Sequence, residues 1–131
     1  MNISPLCRNT RPEGQLPPQE QAAFDLLDRL GIDYDRVSHE AAFNMELCAD
    51  VAAALGVPVC KNLFLCNRQQ TAFYLLCMMP DKPFHTKDLS AQIGSSRLSF
   101  APEDKLWELL RCQPGSATIL GLANDTERRV Q

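Results

Sequence analysis

Two short apolar runs, Asn62 to Cys66 (NLFLC) and Ala72 to Met79 (AFYLLCMM), flank the polar stretch Asn67 to Gln70 (NRQQ). Each is too short and too continuously apolar for a surface helix, which shows polar residues on one side every turn. The pattern predicts a pair of buried strands joined by a turn, the centre of a sheet. Whatever else the chain builds must cover that sheet.

The flanking sequence supplies helices for the purpose. Phe24, Leu27 and Leu30 fall on one helical face, and Gly31 gives a stop. A short extended segment follows around Tyr34 to Ser38. Asn44 can cap a second helix in which Leu47, Val51, Ala54 and Leu55 keep helical spacing before Gly56 and Pro58 end it. Thr86 opens a short helix with Leu89 and Ile93 inward and Gly94 at its end, and Arg97 to Phe100 (RLSF) reads as a further strand. Pro102 suits the first turn of another helix, whose Leu106, Leu109 and Leu110 face inward until Pro114-Gly115 breaks the chain. Trp107 on that helix is read as packing. Ala117 to Leu122 reads as a strand, followed by a turn at Asn124-Asp125 and the beginning of a last strand.

Strands and helices thus alternate without an internal repeat. The expected class is α/β (α+β): a single domain with a mixed, mainly antiparallel sheet or partial barrel and helices packed on it. The proline-rich, polar residues 1–18 are expected to form a flexible N-terminal arm, and 19–131 the domain. A length of 131 residues with 45% hydrophobic and 22% charged residues is in keeping with one core.

A net charge of -3 argues against coating nucleic acid by charge alone, so any nucleic-acid contact is local. No apolar run is long enough to span a bilayer, and the N-terminus lacks the apolar core of a secretory signal, so a soluble, cytoplasmic protein is expected. The cysteines Cys7, Cys48, Cys60, Cys66, Cys77 and Cys112 form no CxxC pair. They read as free buried thiols, and no metal and no cofactor are expected. His39 and His85 have no partner at metal-ligand spacing, and the dinucleotide, Walker, zinc-protease and serine-hydrolase motifs are absent.

One cation then stands out, Lys61, at the mouth of the first buried strand. A lysine there ordinarily caps the strand and extends its ammonium into water. Its neighbours give it a second meaning. The blocks KNLFL (Lys61 to Leu65), RLSF (Arg97 to Phe100) and GSATILGLAND (Gly115 to Asp125), with the weaker HEAAFNME (His39 to Glu46), are similar in order and spacing to the YbaK-type prolyl-tRNA editing family. These include free-standing proteins that deacylate alanyl-tRNA(Pro) and the prolyl-tRNA synthetase-associated editing domain.

The resemblance covers about Ile32 to Gln131. It implies a trans-editing aminoacyl-tRNA deacylase, an ester hydrolase without a cofactor, whose essential lysine is Lys61. A fixed ammonium in a partly desolvated cleft can hold a phosphate of the tRNA end or steady the charge of a tetrahedral intermediate. With no Ser, Cys and His constellation, attack by a positioned water is favoured over a covalent intermediate. Gly115 and Gly121 would let the backbone of the Ser116 to Leu120 loop, with Thr118, approach the substrate and donate N–H groups to the oxyanion. Asn124 is a candidate backbone or ribose contact, or a turn residue. Phe43, Met45 and Leu120 are candidate walls of a pocket that admits alanine and refuses proline by size, or else core residues.

Ile119 departs from the proline that many family members carry four residues after the first glycine, which leaves deacylation firmer than alanine as the substrate. The family also continues into a strand and a His-Pro segment, so the domain is expected to lack its C-terminal end. The expected partners are the acceptor end of tRNA(Pro) and a helper, the prolyl-tRNA synthetase or an elongation factor, with no membrane and no DNA. The competing readings are a non-catalytic tRNA-end or synthetase-binding module and a deacylase for another small amino acid, serine or cysteine.

Overall fold

The computed structural model describes residues 2–40 and 45–131. The chain forms two compact units, Met1–Val59 and Cys60–Gln131.

In the first unit a short strand β1 (Cys7–Arg8) pairs antiparallel with β2 (Asp35–Arg36), on either side of helix α1 (Pro18–Leu30). Proline at the first helical position loses no hydrogen bond there, and Gly31 ends the helix in the left-handed region at φ 66°. Phe24 and Leu27 are half-buried, Phe24 lying 5.7 Å from the Tyr34 ring. Leu30, expected on the same inward face, is exposed. Ahead of α1, besides β1, the Arg11 guanidinium sits 2.7 Å from Asp25 and 2.6 Å from Asp28 on α1. Helix α2 (Met45–Leu55) buries Val51 and is closed by Gly56, whose N–H donates to the Ala52 carbonyl at 2.8 Å.

The second unit contains the expected hairpin. β3 (Lys61–Cys66) and β4 (Phe73–Met78) pair antiparallel from Lys61↔Met78 to Cys66↔Phe73. The turn between them is organised by Asn67, whose Oδ1 accepts from the N–H groups of Thr71 (2.8 Å) and Ala72 (3.1 Å). After helix α3 (Thr86–Ile93), strand β5 (Ser99–Phe100) adds to the far side of β3, giving the order β4-β3-β5. This is the mixed α/β class expected, mainly antiparallel with helices against the sheet, and the described residues form no closed barrel. Ile93 is exposed, against the inward place expected for it on α3.

Strand alternation decides which face helix α4 (Glu103–Leu110) covers. Phe64 and Cys66 of β3 and Phe73 and Leu75 of β4 share one face, and Leu106, Leu109 and Leu110 of α4 pack on it together with Cys112. Phe73, Leu110 and Cys66 are essentially excluded from solvent there. Arg111, left-handed at φ 54°, ends α4 and stacks over Trp107 at 5.6 Å; that indole, expected to pack, is exposed.

The C-terminal stretch corrects the sequence reading. Ala117 to Leu122 is not a strand; residues Ile119–Asn124 form a 3-10 helix. Thr118 is the reason locally, since its hydroxyl caps the turn by accepting from Leu120 N–H at 3.2 Å, a bond a strand would not make. The last residues therefore find another partner. Buried Asp125 accepts from the N–H groups of Arg129 (3.0 Å) and Val130 (2.8 Å), and Val130 and Gln131 run parallel beside β4. Gln131 N–H donates to the Phe73 carbonyl at 2.9 Å, and Leu75 N–H donates to the Gln131 carbonyl at 2.8 Å.

Candidate functional site

Lys61 is the first residue of β3, where the chain enters the sheet. It is half-buried, and its ammonium donates to the Lys82 carbonyl at 2.7 Å. Alternation along β3 sets it on the sheet face opposite Phe64 and Cys66, while its neighbour Asn62 shares theirs. Asn62 is then the link to the glycine loop: its side-chain amide donates to the Ala117 carbonyl at 3.0 Å. Cys60 and Cys77 are exposed, against the buried place expected for the thiols, and the Cys60 thiol lies 3.7 Å from Asn62 Oδ1.

Asn62 and Ala117, joined by that bond, both line a shallow cleft of about 160 Å3 between β3, the start of α4 and the loop. Asn62, Phe64, Phe100, Ala101, Glu103, Leu106, Pro114, Gly115 and Ala117 are among its walls, and Glu103 is the one ionisable group lining it. The floor is apolar because it is the rim of the α4 core, to which Phe64, Leu106, Ala101 and Ala117 belong.

The loop residues divide by what they touch. Gly115 adopts φ 85°, the left-handed region that favours glycine, and lines the cleft with open space about its Cα. Ser116 turns back on the preceding segment, with both its N–H (3.0 Å) and its hydroxyl (2.9 Å) donating to the Gln113 carbonyl. Thr118 is occupied as the cap of the 3-10 helix. Gly121 and Asn124 face α4: a Cβ at Gly121 would lie 2.8 Å from the Leu110 carbonyl oxygen, and Asn124 donates to that same oxygen at 3.1 Å. Gly121 N–H itself donates to the Thr118 carbonyl at 3.0 Å. Cys112, whose thiol burial holds up above its ordinary pKa, with a partly opposing hydrogen bond from Thr118, packs beneath the loop. Among the described residues, Ala117 N–H and Ile119 N–H are the amides of Ser116 to Gly121 that have no hydrogen-bond partner.

Phe43 and Asn44 lie outside the described residues, as does the Met45 side chain. The structure thus brings Gly115 and the loop to Asn62 beside Lys61, and gives Thr118, Gly121 and Asn124 contacts within the fold. Asn62 and Glu103 were missed in the sequence. Asn62 carried a usable signal, an amide on the inward face of an otherwise apolar strand; Glu103 resembled any acidic residue in a helix's first turn.

The need for glycine at Gly121 is testable. Gly121→Ala should destabilise the fold by about 1–3 kcal/mol, because the added methyl meets the backbone carbonyl oxygen of Leu110 at 2.8 Å, an atom that cannot swing aside, with the Cys112 thiol close behind at 3.1 Å. Urea unfolding followed through the lone Trp107 measures it, and an unchanged midpoint would refute the close approach.

Against this geometry the comparisons are specific. Residues 39–130 match the aminoacyl-tRNA editing domain. The chain belongs to that family, of the YbaK-type prolyl-tRNA editing kind. It is 31% identical over 112 residues to the prolyl-tRNA editing protein ProX of Acetoanaerobium sticklandii, covering 86% of this chain and 68% of that protein. It is 36% identical over 106 residues to prolyl-tRNA synthetase associated domain-containing protein 1 of Danio rerio, covering 81% of this chain and 57% of that protein. The crystal structure of a protein described as hypothetical matches the fold with a TM-score of 0.60 at 17% identity, over 83% of this chain and 69% of that one.

Proposed function

We propose that the chain is a trans-editing deacylase that hydrolyses the ester of mischarged tRNA(Pro), with alanyl-tRNA(Pro) as its substrate. The observation that carries the reading is the joining of Lys61-Asn62 to the Gly115 loop through the Asn62–Ala117 hydrogen bond, within a segment that matches the editing domain throughout. The aminoacyl group enters the cleft beside Asn62, and a water attacks the ester carbon. The carbon–oxygen bond to the ribose breaks, the water's proton passes to the departing ribose oxygen, and alanine and uncharged tRNA leave.

The free amides Ala117 N–H and Ile119 N–H are the donors for the developing oxyanion, where fixed dipoles in a partly dry site lower the barrier most. Lys61 takes a phosphate of the tRNA end. Its place at the strand's edge, on the opposite face from the cleft floor, supports that role over direct contact with the oxyanion. The small cleft supports selection against the bulkier cognate prolyl group, the easier direction for steric exclusion. A net charge of -3 supports presentation of the tRNA by a helper, the prolyl-tRNA synthetase or an elongation factor, over tight binding to bare tRNA.

The test is hydrolysis of preformed alanyl-tRNA(Pro) beside prolyl-tRNA(Pro). Loss of the alanyl ester at least tenfold faster is expected. Equal rates would overturn the size filter, loss of a seryl or cysteinyl ester instead would reassign the substrate, and binding without hydrolysis would make the chain a tRNA-end module.

A further inference from the structure

We propose that the Glu103 carboxylate binds the α-ammonium group of the aminoacyl ester, so that the cleft reads a cation as well as a small side chain. The inference rests on the deacylase reading and deepens it. Three observations carry it. Glu103 is the one ionisable residue lining a cleft whose other walls are apolar apart from Asn62. Asn62 is already committed, its amide to Ala117 and its oxygen to the Cys60 thiol. Glu103 makes no hydrogen bond or ion pair among the described residues, whereas the neighbouring Glu108 engages both Lys105 (3.3 Å) and Arg129 (3.6 Å).

An acidic residue in a helix's first turn is ordinarily explained by the helix dipole. Asp104 occupies the same first turn of α4 and meets that need equally. What separates Glu103 is the cleft. A ligand that fills an apolar hollow beside a lone carboxylate is a small apolar group carrying a positive charge, and an aminoacyl ester has both a few bonds from the scissile carbon. A charge-assisted hydrogen bond there would orient the carbonyl toward the Ala117 and Ile119 amides.

The probe is lactyl-tRNA(Pro), which replaces the ammonium by a hydroxyl at nearly constant size. The full chain, Glu103→Gln and Asp104→Asn are compared on alanyl- and lactyl-tRNA(Pro) at pH 6.5, where the α-amino group is largely protonated. Glu103→Gln should lower kcat/KM for the alanyl ester about 10- to 100-fold while leaving the lactyl ester nearly unchanged. The intrinsic difference between the two esters cancels in this ratio of ratios. Asp104→Asn should leave the alanyl-to-lactyl ratio as it is, and Glu103→Asp should restore part of it.

A Glu103→Gln chain that slows on both esters equally would reduce Glu103 to a helix-terminal acid and overturn the proposal, with the deacylase reading intact. Asp104→Asn shifting the ratio as much as Glu103→Gln would overturn it too, by assigning the effect to helix charge. A full chain that hydrolyses neither ester would overturn the deacylase reading and the ammonium site with it.

Discussion

Lys61→Ala is expected to slow alanyl-tRNA(Pro) deacylation about 100-fold, because the lost phosphate contact leaves the ester misplaced for the attacking water. The fold should survive the change. The side chain makes one hydrogen bond, to the Lys82 carbonyl at the protein's edge, and its loss costs about 1 kcal/mol at most. Lys61→Arg separates two versions of the lysine's role: guanidinium also binds phosphate, so partial activity would speak for a phosphate contact, whereas no recovery would mean that the compact ammonium itself is needed close to the reacting centre. Single-turnover kinetics with saturating protein measure the chemical step apart from tRNA binding. Undiminished turnover of Lys61→Ala would remove Lys61 from the mechanism, and unaltered turnover with weaker binding would confine it to holding tRNA.

The sheet was legible in the sequence because its two central strands are nearly uninterrupted apolar runs with a polar turn between them, and no surface element has that pattern. Helix α4 was legible for the complementary reason, since Leu106, Leu109 and Leu110 repeat at helical spacing and all three are buried. Elements stabilised by a single side-chain-to-backbone bond were not. Ala117 to Leu122 is as apolar as a strand, and only the Thr118 cap and the packing of Gly121 against Leu110 turn it into a 3-10 helix. Leu30 and Ile93 are exposed at the ends of otherwise amphipathic helices, where spacing sets a face but cannot say what lies opposite. For the site, Lys61 and the glycine block were found through family resemblance. Asn62 was legible as the one amide on the inward face of an apolar strand, whereas Glu103 depends on where α4 begins relative to the sheet, and no local pattern encodes that.

Phe73→Ala is expected to cost about 3–5 kcal/mol, the largest stability effect of any substitution considered, because Phe73 joins three parts of the second unit. Its ring is fully buried under α4, stacks on Phe64 with centroids 5.9 Å apart, and lies beneath the Arg129 guanidinium at 5.4 Å. Its backbone carbonyl accepts from Gln131, so the same residue anchors the C-terminal stretch beside β4. Alanine keeps that backbone bond and deletes the ring, leaving a cavity that α4 cannot close while Leu109 and Leu110 remain packed on β3. Phe73→Leu should recover more than half of the loss, since most of the volume returns and only the ring contacts are missing. Denaturant unfolding followed at Trp107 reads both variants. A loss below about 1 kcal/mol for Phe73→Ala would show that the cavity collapses or that the ring is not buried as described. A large loss with deacylation retained in the remaining folded fraction would show that Phe73 supports the sheet beneath the cleft without shaping the site itself.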